Sequence, residues 1–281
     1  MWRRLIASLV FLSILVVGAG NAFSGDDFWK PIKVRYYGNS FFVIESNKGV
    51  RVCFDPHMIT EYGRPPDDLK ADVVLISHNH VDHTRVDALA NWNEKDDGKK
   101  PKIIRGLKGT GLRADWAAVD EKIGDIKIRS VGVYHDDMEG LRSGKVSAFI
   151  VEMDGWRICH LGDLGHMLSP AQLKAIGEVD VLMIPVGGIY TLNGSEAKKV
   201  VEQIKPKEYI FPMHYGTKFF EDILPPDEFY DDVPKNRVAI SDDNSLLLNK
   251  DAQRPRPLIV QLNHEPKTEK RVEKKEKDKK K

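Results

Sequence analysis

Apolar and polar positions along the first third of the chain fall into short blocks, and each block is too brief for a helix. Residues 32–37, 41–45 and 50–54 read as three strands, the second pair joined by the turn-rich link Ser46-Asn47-Lys48-Gly49. Residues 72–77 form an unbroken Val/Leu/Ile run, the pattern of a strand buried on both faces, and it stops abruptly at a polar, histidine-rich loop. Residues 146–152 and 156–161 flank Met153-Asp154-Gly155, a second hairpin signal. Farther on the period changes. Ser169-Pro170 opens a helix through Ile176, a strand follows at 180–186, a second helix at 195–204, and a strand at 208–212. Strand meanders early and strand/helix alternation late predict an α/β domain of two sheets packed face to face with helices outside.

The two ends of the chain differ from this middle. Arg3 and Arg4 precede an apolar run at residues 5–17 and then Gly18-Ala19-Gly20-Asn21-Ala22, the layout of a secretory signal peptide over residues 1–24. The run is shorter than the roughly 20 residues of a membrane-spanning helix. The expectation is an exported protein, periplasmic or extracellular, with no stable membrane insertion after cleavage. The alternative is an uncleaved anchor that tethers it. Residues 25–263 then make one large domain. From Pro266 to Lys281 there are nine Lys or Arg and four Asp or Glu, so the net +1 of the chain is +5 here and −4 before it. Such a stretch buries too little to offset its ordering entropy, and residues 264–281 are expected to be a disordered tail. The domain itself has no basic excess, so no nucleic acid is expected as a partner. Cys53 and Cys159 sit in strand-like runs where a small buried hydrophobe is ordinary. A disulfide between them stays open.

The candidate chemistry begins directly after the buried strand, in Ser77-His78-Asn79-His80-Val81-Asp82-His83. A chance match to His-x-His-x-Asp-His in a chain of this length is on the order of one in a thousand. Three imidazoles and a carboxylate so close together repel if protonated and need several partners if buried neutral. One or two divalent cations satisfy them all. This loop resembles the metal-binding signature of the metallo-β-lactamase superfamily, and the resemblance runs across nearly the whole domain. It implies an αββα four-layer sandwich with two packed mixed β-sheets. It also implies a ligand set in chain order: His78, His80 and His135 for one metal, Asp82, His83 and His214 for the other, and Asp163 of His160-Leu161-Gly162-Asp163 as the bridge. Asp55, in Phe54-Asp55-Pro56, matches the aspartate that braces the metal loop by hydrogen bonds.

A carboxylate at the bridging position argues against a true β-lactamase. The runs Ile184-Pro185-Val186-Gly187-Gly188 and Pro212-Met213-His214-Tyr215-Gly216-Thr217 are similar to ascorbate-6-phosphate lactonase-like and N-acyl-phosphatidylethanolamine phospholipase D-like enzymes. That subgroup often has histidine where this chain has Asn39. The resemblance implies a binuclear metal-dependent hydrolase of an ester, lactone or phosphodiester, acting on a small-molecule or lipid-like substrate. Two divalent ions, zinc first and manganese or iron as alternatives, lower the pKa of a shared water from near 16 toward about 7 and so supply hydroxide at neutral pH. Asp82 is expected to act both as ligand and as proton shuttle. His166, three residues beyond Asp163, is expected at the cleft rim as a substrate contact or proton donor, with Tyr190 and Thr191 as further rim candidates. His57, His160 and His264 are read as structural. Two other functions compete: a metal-binding protein without turnover, and a di-iron oxidoreductase, which His80 and the lack of a flavin domain disfavour.

Overall fold

The computed structural model describes residues 30–218 and 220–266. The expected signal peptide at residues 1–24 and residues 267–281 of the expected tail lie outside the described residues. The chain first lays down β1 (Ile32–Tyr36), β2 (Phe42–Glu45), β3 (Arg51–Phe54), β4 (Val73–Ile76) and β5 (Lys102–Arg105). A small ribbon of β6 (Leu107–Lys108) and β7 (Asp115–Trp116) then leads to β8 (Asp120–Ile123), β9 (Ile126–Tyr134), β10 (Lys145–Met153) and β11 (Trp156–His160). Next come α1 (Pro170–Ile176), β12 (Val181–Pro185), α2 (Gly194–Ile204), β13 (Tyr209–Met213), α3 (Asp227–Tyr230), β14 (Val238–Ile240), β15 (Ser245–Leu248) and β16 (Leu258–Gln261).

Two mixed sheets result. The first has the order β15-β1-β2-β3-β4-β5 and the second β14-β16-β13-β12-β11-β10-β9-β8. β3 and β4 are parallel, as are β11, β12 and β13, while β9-β10-β11 is an antiparallel meander. The period-2 pattern explains the packing. Ile32, Val34 and Tyr36 of β1 are buried and the alternating Lys33 and Arg35 are not, so one face of β1 enters the core between the sheets. β12 and β13 are buried along their whole length, as central parallel strands covered on both faces are.

The helix layer is thin. α1 starts at a capping box in which Ser169 Oγ accepts the Gln172 N–H and the Gln172 side chain returns to Ser169 N–H. α2 starts the same way at Asn193 and Glu196, and its Ala197, Val200 and Ile204 join the main core. Among the described residues, the outer face of the first sheet has no such helix. Tyr37, Phe41, Val43, Cys53, Val74 and Ile76 are capped there by Leu69, Ala71, Ala88 and Leu89 from the connections around β4. Those connections are broken by Pro56, Pro65 and Pro66 and by the histidine loop, and they settle into single 3-10 turns at Thr60–Tyr62, Val81–His83 and Val86–Ala88. Cys53 and Cys159 are buried free thiols in different sheets, both pushed up by burial, Cys159 to about 12. No helix among the described residues is long and apolar enough to cross a membrane.

Candidate metal centre

The chemistry-bearing residues gather where strands end. Asp55 follows β3, the His78–His83 loop follows β4, His135 follows β9, Asp163 follows β11 and His214 follows β13. The parallel and meander pairings put the C-terminal ends of β9, β11, β12 and β13 at one edge of the second sheet. Two rigid sheets thus present loops of unrelated sequence to one mouth.

All seven ligand candidates meet there. Ligand atoms of His78, His80 and His135 lie within 4.8 Å of one another, and so do those of Asp82, His83, Asp163 and His214. One atom joins the two groups. Asp163 Oδ2 stands 3.1 Å from His83 Nε2, 3.2 Å from His214 Nε2, 3.3 Å from His135 Nε2 and 3.7 Å from His78 Nε2. Asp82 Oδ2 adds a contact of 3.2 Å to His83 Nε2.

Outer partners explain why Nε2 faces inward. His135 Nδ1 lies 3.0 Å from the Tyr190 carbonyl oxygen, an acceptor, so it carries the proton. Ser77 Oγ donates to Asp55 Oδ2 at 2.6 Å and accepts from His78 Nδ1 at 2.9 Å. Asp55 Oδ2 also receives His83 Nδ1 at 3.1 Å, and Asp55 Oδ1 accepts the Ser77 N–H at 2.7 Å. A single buried carboxylate therefore orients two imidazoles, the arrangement by which outer partners fix ligand tautomers. Among the described residues, Nε2 of His78, His83 and His135 is buried without a hydrogen-bond partner.

Burial and charge oppose each other at this cluster. Burial, then the neighbouring His83, pushes His78 down; burial, then His135, does the same to His80. Burial alone raises a carboxylate, yet the His214 and His83 charges hold Asp163 well below the usual range, and His83 does likewise to Asp82. Burial also works against a charged His83, but Asp163 and Asp82 prevail and push it up; burial works against a charged His135 too, but the nearby Asp163 carboxylate raises it. Without a cation, the carboxylates draw protons onto His83 and His135. A divalent cation replaces those protons, and a mixed His/carboxylate donor set with unpartnered Nε2 atoms fits one.

His166 does not join this centre. Its Nε2 accepts the Tyr134 N–H at 3.0 Å and its Nδ1 donates to the Met167 carbonyl at 2.7 Å. By strand alternation Gly132 and Tyr134 face away from His135, and His166 lines a cavity of about 640 Å³ on that side with Trp116, Tyr134 and Gln172. The segment after Asp163 turns away from the ligands, its Gly165 N–H bonding the Tyr134 carbonyl at 3.0 Å. Both ring nitrogens of His166 bond to backbone here. Thr191 is buried, while Ile189 and Tyr190 are exposed. The Tyr190 contribution to the site comes from its backbone carbonyl. Tyr190 N–H bonds Gly188 O at 2.6 Å across Ile189, which has φ +59°, the strained form of the γ-turn. His160 is buried against Phe54 with Nε2 on Ser40 O, His57 packs between Phe41 and Tyr62, and His264 meets the Tyr62 ring edge-on. Sequence reasoning missed Ser77 and Ser40, whose hydroxyls touch Asp55 and Asp163. Ser77 directly precedes the histidine run, the one signal that could have marked it.

Fold and site together define an enzyme of the metal-dependent hydrolase class. Residues 33–214 match the family model of the beta-lactamase superfamily domain, and the chain belongs to that superfamily. A UPF0173 metal-dependent hydrolase of Thermococcus onnurineus is 30% identical over 206 residues, spanning 66% of this chain and 85% of its own length. One from Pyrococcus furiosus is 32% identical over 207 residues, with the same shares. The crystal structure of a candidate Zn-dependent hydrolase of the metallo-β-lactamase superfamily from Thermotoga maritima is 30% identical, with a TM-score of 0.60, covering 82% of this chain and 98% of that one.

Proposed function

We propose that the chain hydrolyses an ester, lactone or phosphodiester bond with two divalent cations, zinc in the first place, manganese or iron as substitutes. The observation that carries this is the position of Asp163 Oδ2, within reach of histidines from both ligand groups. Cations bound there supply an activated water and neutralise charge that develops on the substrate oxygens. Among the described residues, no competing nucleophile stands beside them: Ser77 Oγ donates to Asp55, Ser40 Oγ donates to Asp163, and both thiols are buried.

The chain's own residues divide the remaining work. Asp82 is the carboxylate of the cluster that reaches solvent, with 34% of its side chain exposed against 2% for Asp163. It is the group placed to take up a proton and pass it to the leaving group. Exposed Val81, Ile189 and Tyr190, on loops that carry or touch ligands, form the surface a substrate meets first. The lactonase-like and phospholipase D-like sequence runs favour a small or lipid-like substrate. The layout of residues 1–24 supports action outside the cytoplasm, and an N-terminus beginning near residue 25 on protein from the native host is the expected result.

The test is elemental analysis of purified protein followed by a panel of lactones, phosphodiesters and phospholipids, with chelated protein as control. Turnover that vanishes on chelation and returns with metal is expected. Fully loaded protein inert on the whole panel would turn the reading to metal binding without turnover, and oxygen-dependent substrate oxidation by an iron form would turn it to redox chemistry.

A further inference from the structure

The turn between β1 and β2 holds none of the ligand candidates, yet it touches three of the four residues of the second ligand group. Asn39 Nδ2 donates to Asp82 Oδ2 at 3.2 Å and lies 3.4 Å from the Asp82 carbonyl oxygen. The Asn39 carbonyl accepts the His214 N–H at 2.9 Å and the Tyr36 hydroxyl at 3.2 Å. Ser40 Oγ donates to Asp163 Oδ1 at 3.3 Å. Asp82 hangs from the first sheet and His214 and Asp163 from the second, so this one turn ties ligands together across the core.

The local backbone is committed to that geometry. Gly38 has φ +96°, and a Cβ there would lie 2.4 Å from the Tyr62 ring, so glycine is required. Asn39 follows at φ +47°, a left-handed conformation that Asn tolerates better than most residues. The two reversals put the side-chain amide on Asp82 and the carbonyl on His214 simultaneously. Asn39 is 1% exposed and Ser40 fully buried, which removes both from direct contact with a substrate in solution.

We propose that Asn39 is the positioning residue of the second ligand group: its amide sets the Asp82 carboxylate and its carbonyl holds the His214 segment, while Ser40 fixes Asp163. An amide suits this task because it donates at every pH and neither binds a proton nor competes with the carboxylate for a cation. Removal of an outer partner of a metal ligand costs about 10–100-fold in affinity. This inference rests on the two-cation reading of the cluster.

Asn39→Gly deletes the amide but keeps the left-handed backbone and the carbonyl. Asn39→Asp keeps size and backbone preference but replaces the donor by an anion facing Asp82. Metal-stripped parent and variants are titrated with Zn2+ by calorimetry, and the Co2+-loaded proteins are compared by visible absorption. The expected result is an unchanged tight first equivalent and a second equivalent weakened about 10–100-fold in Asn39→Gly and more in Asn39→Asp, with an altered Co2+ spectrum in both. A parent that takes up two equivalents while both variants bind the second as tightly overturns the inference alone. A parent that takes up one equivalent overturns the two-cation reading and this inference with it.

Discussion

The two halves of the metal centre are assembled on different plans. The first sheet delivers His78, His80, Asp82 and His83 from one six-residue loop, whereas the second delivers His135, Asp163 and His214 from three strand ends spread from residue 135 to residue 214. In the first half, side chains brace the ligands, with Asp55 and Ser77 reaching two imidazoles. In the second half the backbone braces the two histidines, and a side chain, Ser40, touches only Asp163. His135 leans on the Tyr190 carbonyl, and the His214 N–H on the Asn39 carbonyl, while among the described residues His214 Nδ1 has no hydrogen-bond partner. Bare main chain also packs against these ligands. A Cβ on Gly165 would lie 2.3 Å from His135 O, and one on Gly187 would lie 2.2 Å from His214 O. The difference teaches where each half is fragile: the first to loss of a side chain, the second to gain of one.

The largest expected effect breaks both halves at once. Asp163→Ala removes the one carboxylate shared by the two ligand groups, and metal content should fall toward a single equivalent. Activity on any substrate found should drop by more than the roughly 10–100-fold that outer partners are worth. Unchanged stoichiometry in a well-folded Asp163→Ala protein would mean that the halves are independent sites.

Asp55→Ala tests the side-chain plan. It strips the acceptor from Ser77 N–H, Ser77 Oγ and His83 Nδ1, all buried, at about 1–3 kcal/mol for each group left unpaired. Metal affinity should fall about 10–100-fold, and thermal unfolding should move down by several degrees. Gly187→Ala tests the backbone plan with a single added methyl. The methyl must displace His214 O, which should destabilise the fold by about 1–3 kcal/mol and weaken the group containing His214 while that of His78, His80 and His135 keeps its affinity. Calorimetric titration of both variants reads the contrast directly. Equal loss at both groups in Gly187→Ala would erase the distinction between the plans.

The same contrast governs what was legible in the sequence. The first half shows itself in one short motif after a Val/Leu/Ile strand, because consecutive residues on a loop are necessarily neighbours. The ligands of the second half are isolated letters, and family resemblance rather than spacing singled out His135, Asp163 and His214. The strands and helices that were read between residues 32 and 213 match the observed ones to within about a residue. β5 to β8, β14 to β16 and α3 were missed: they are short, and most have exposed positions that dilute the apolar signal; the nine-residue β9 was not delimited either. Ser77, Ser40 and the Tyr190 carbonyl were hidden for another reason. Their role depends on which strand ends meet, and that is a property of the sheet order.

The smallest expected effect belongs to His166, and it sharpens the comparison because this residue was expected to act on substrate. Its Nε2 takes the Tyr134 N–H, and Gly165 N–H bonds Tyr134 O at 3.0 Å, so the segment after Asp163 clamps the residue before His135 from both backbone groups. His166 is therefore part of the second half's bracing, one step removed from a ligand. His166→Ala should lose about 0.5–1.5 kcal/mol for a broken hydrogen bond, lowering the unfolding midpoint by a few degrees while metal stoichiometry and turnover stay near the parent values. His166→Gln, whose side-chain oxygen can accept the same N–H, should recover part of that stability. A 10²-fold loss of turnover in His166→Ala with full metal content would return the residue to the reaction itself. A loss confined to the His135 group's affinity would instead show that the clamp reaches the metal through the strand end, making backbone bracing in this half tighter than side-chain bracing in the other.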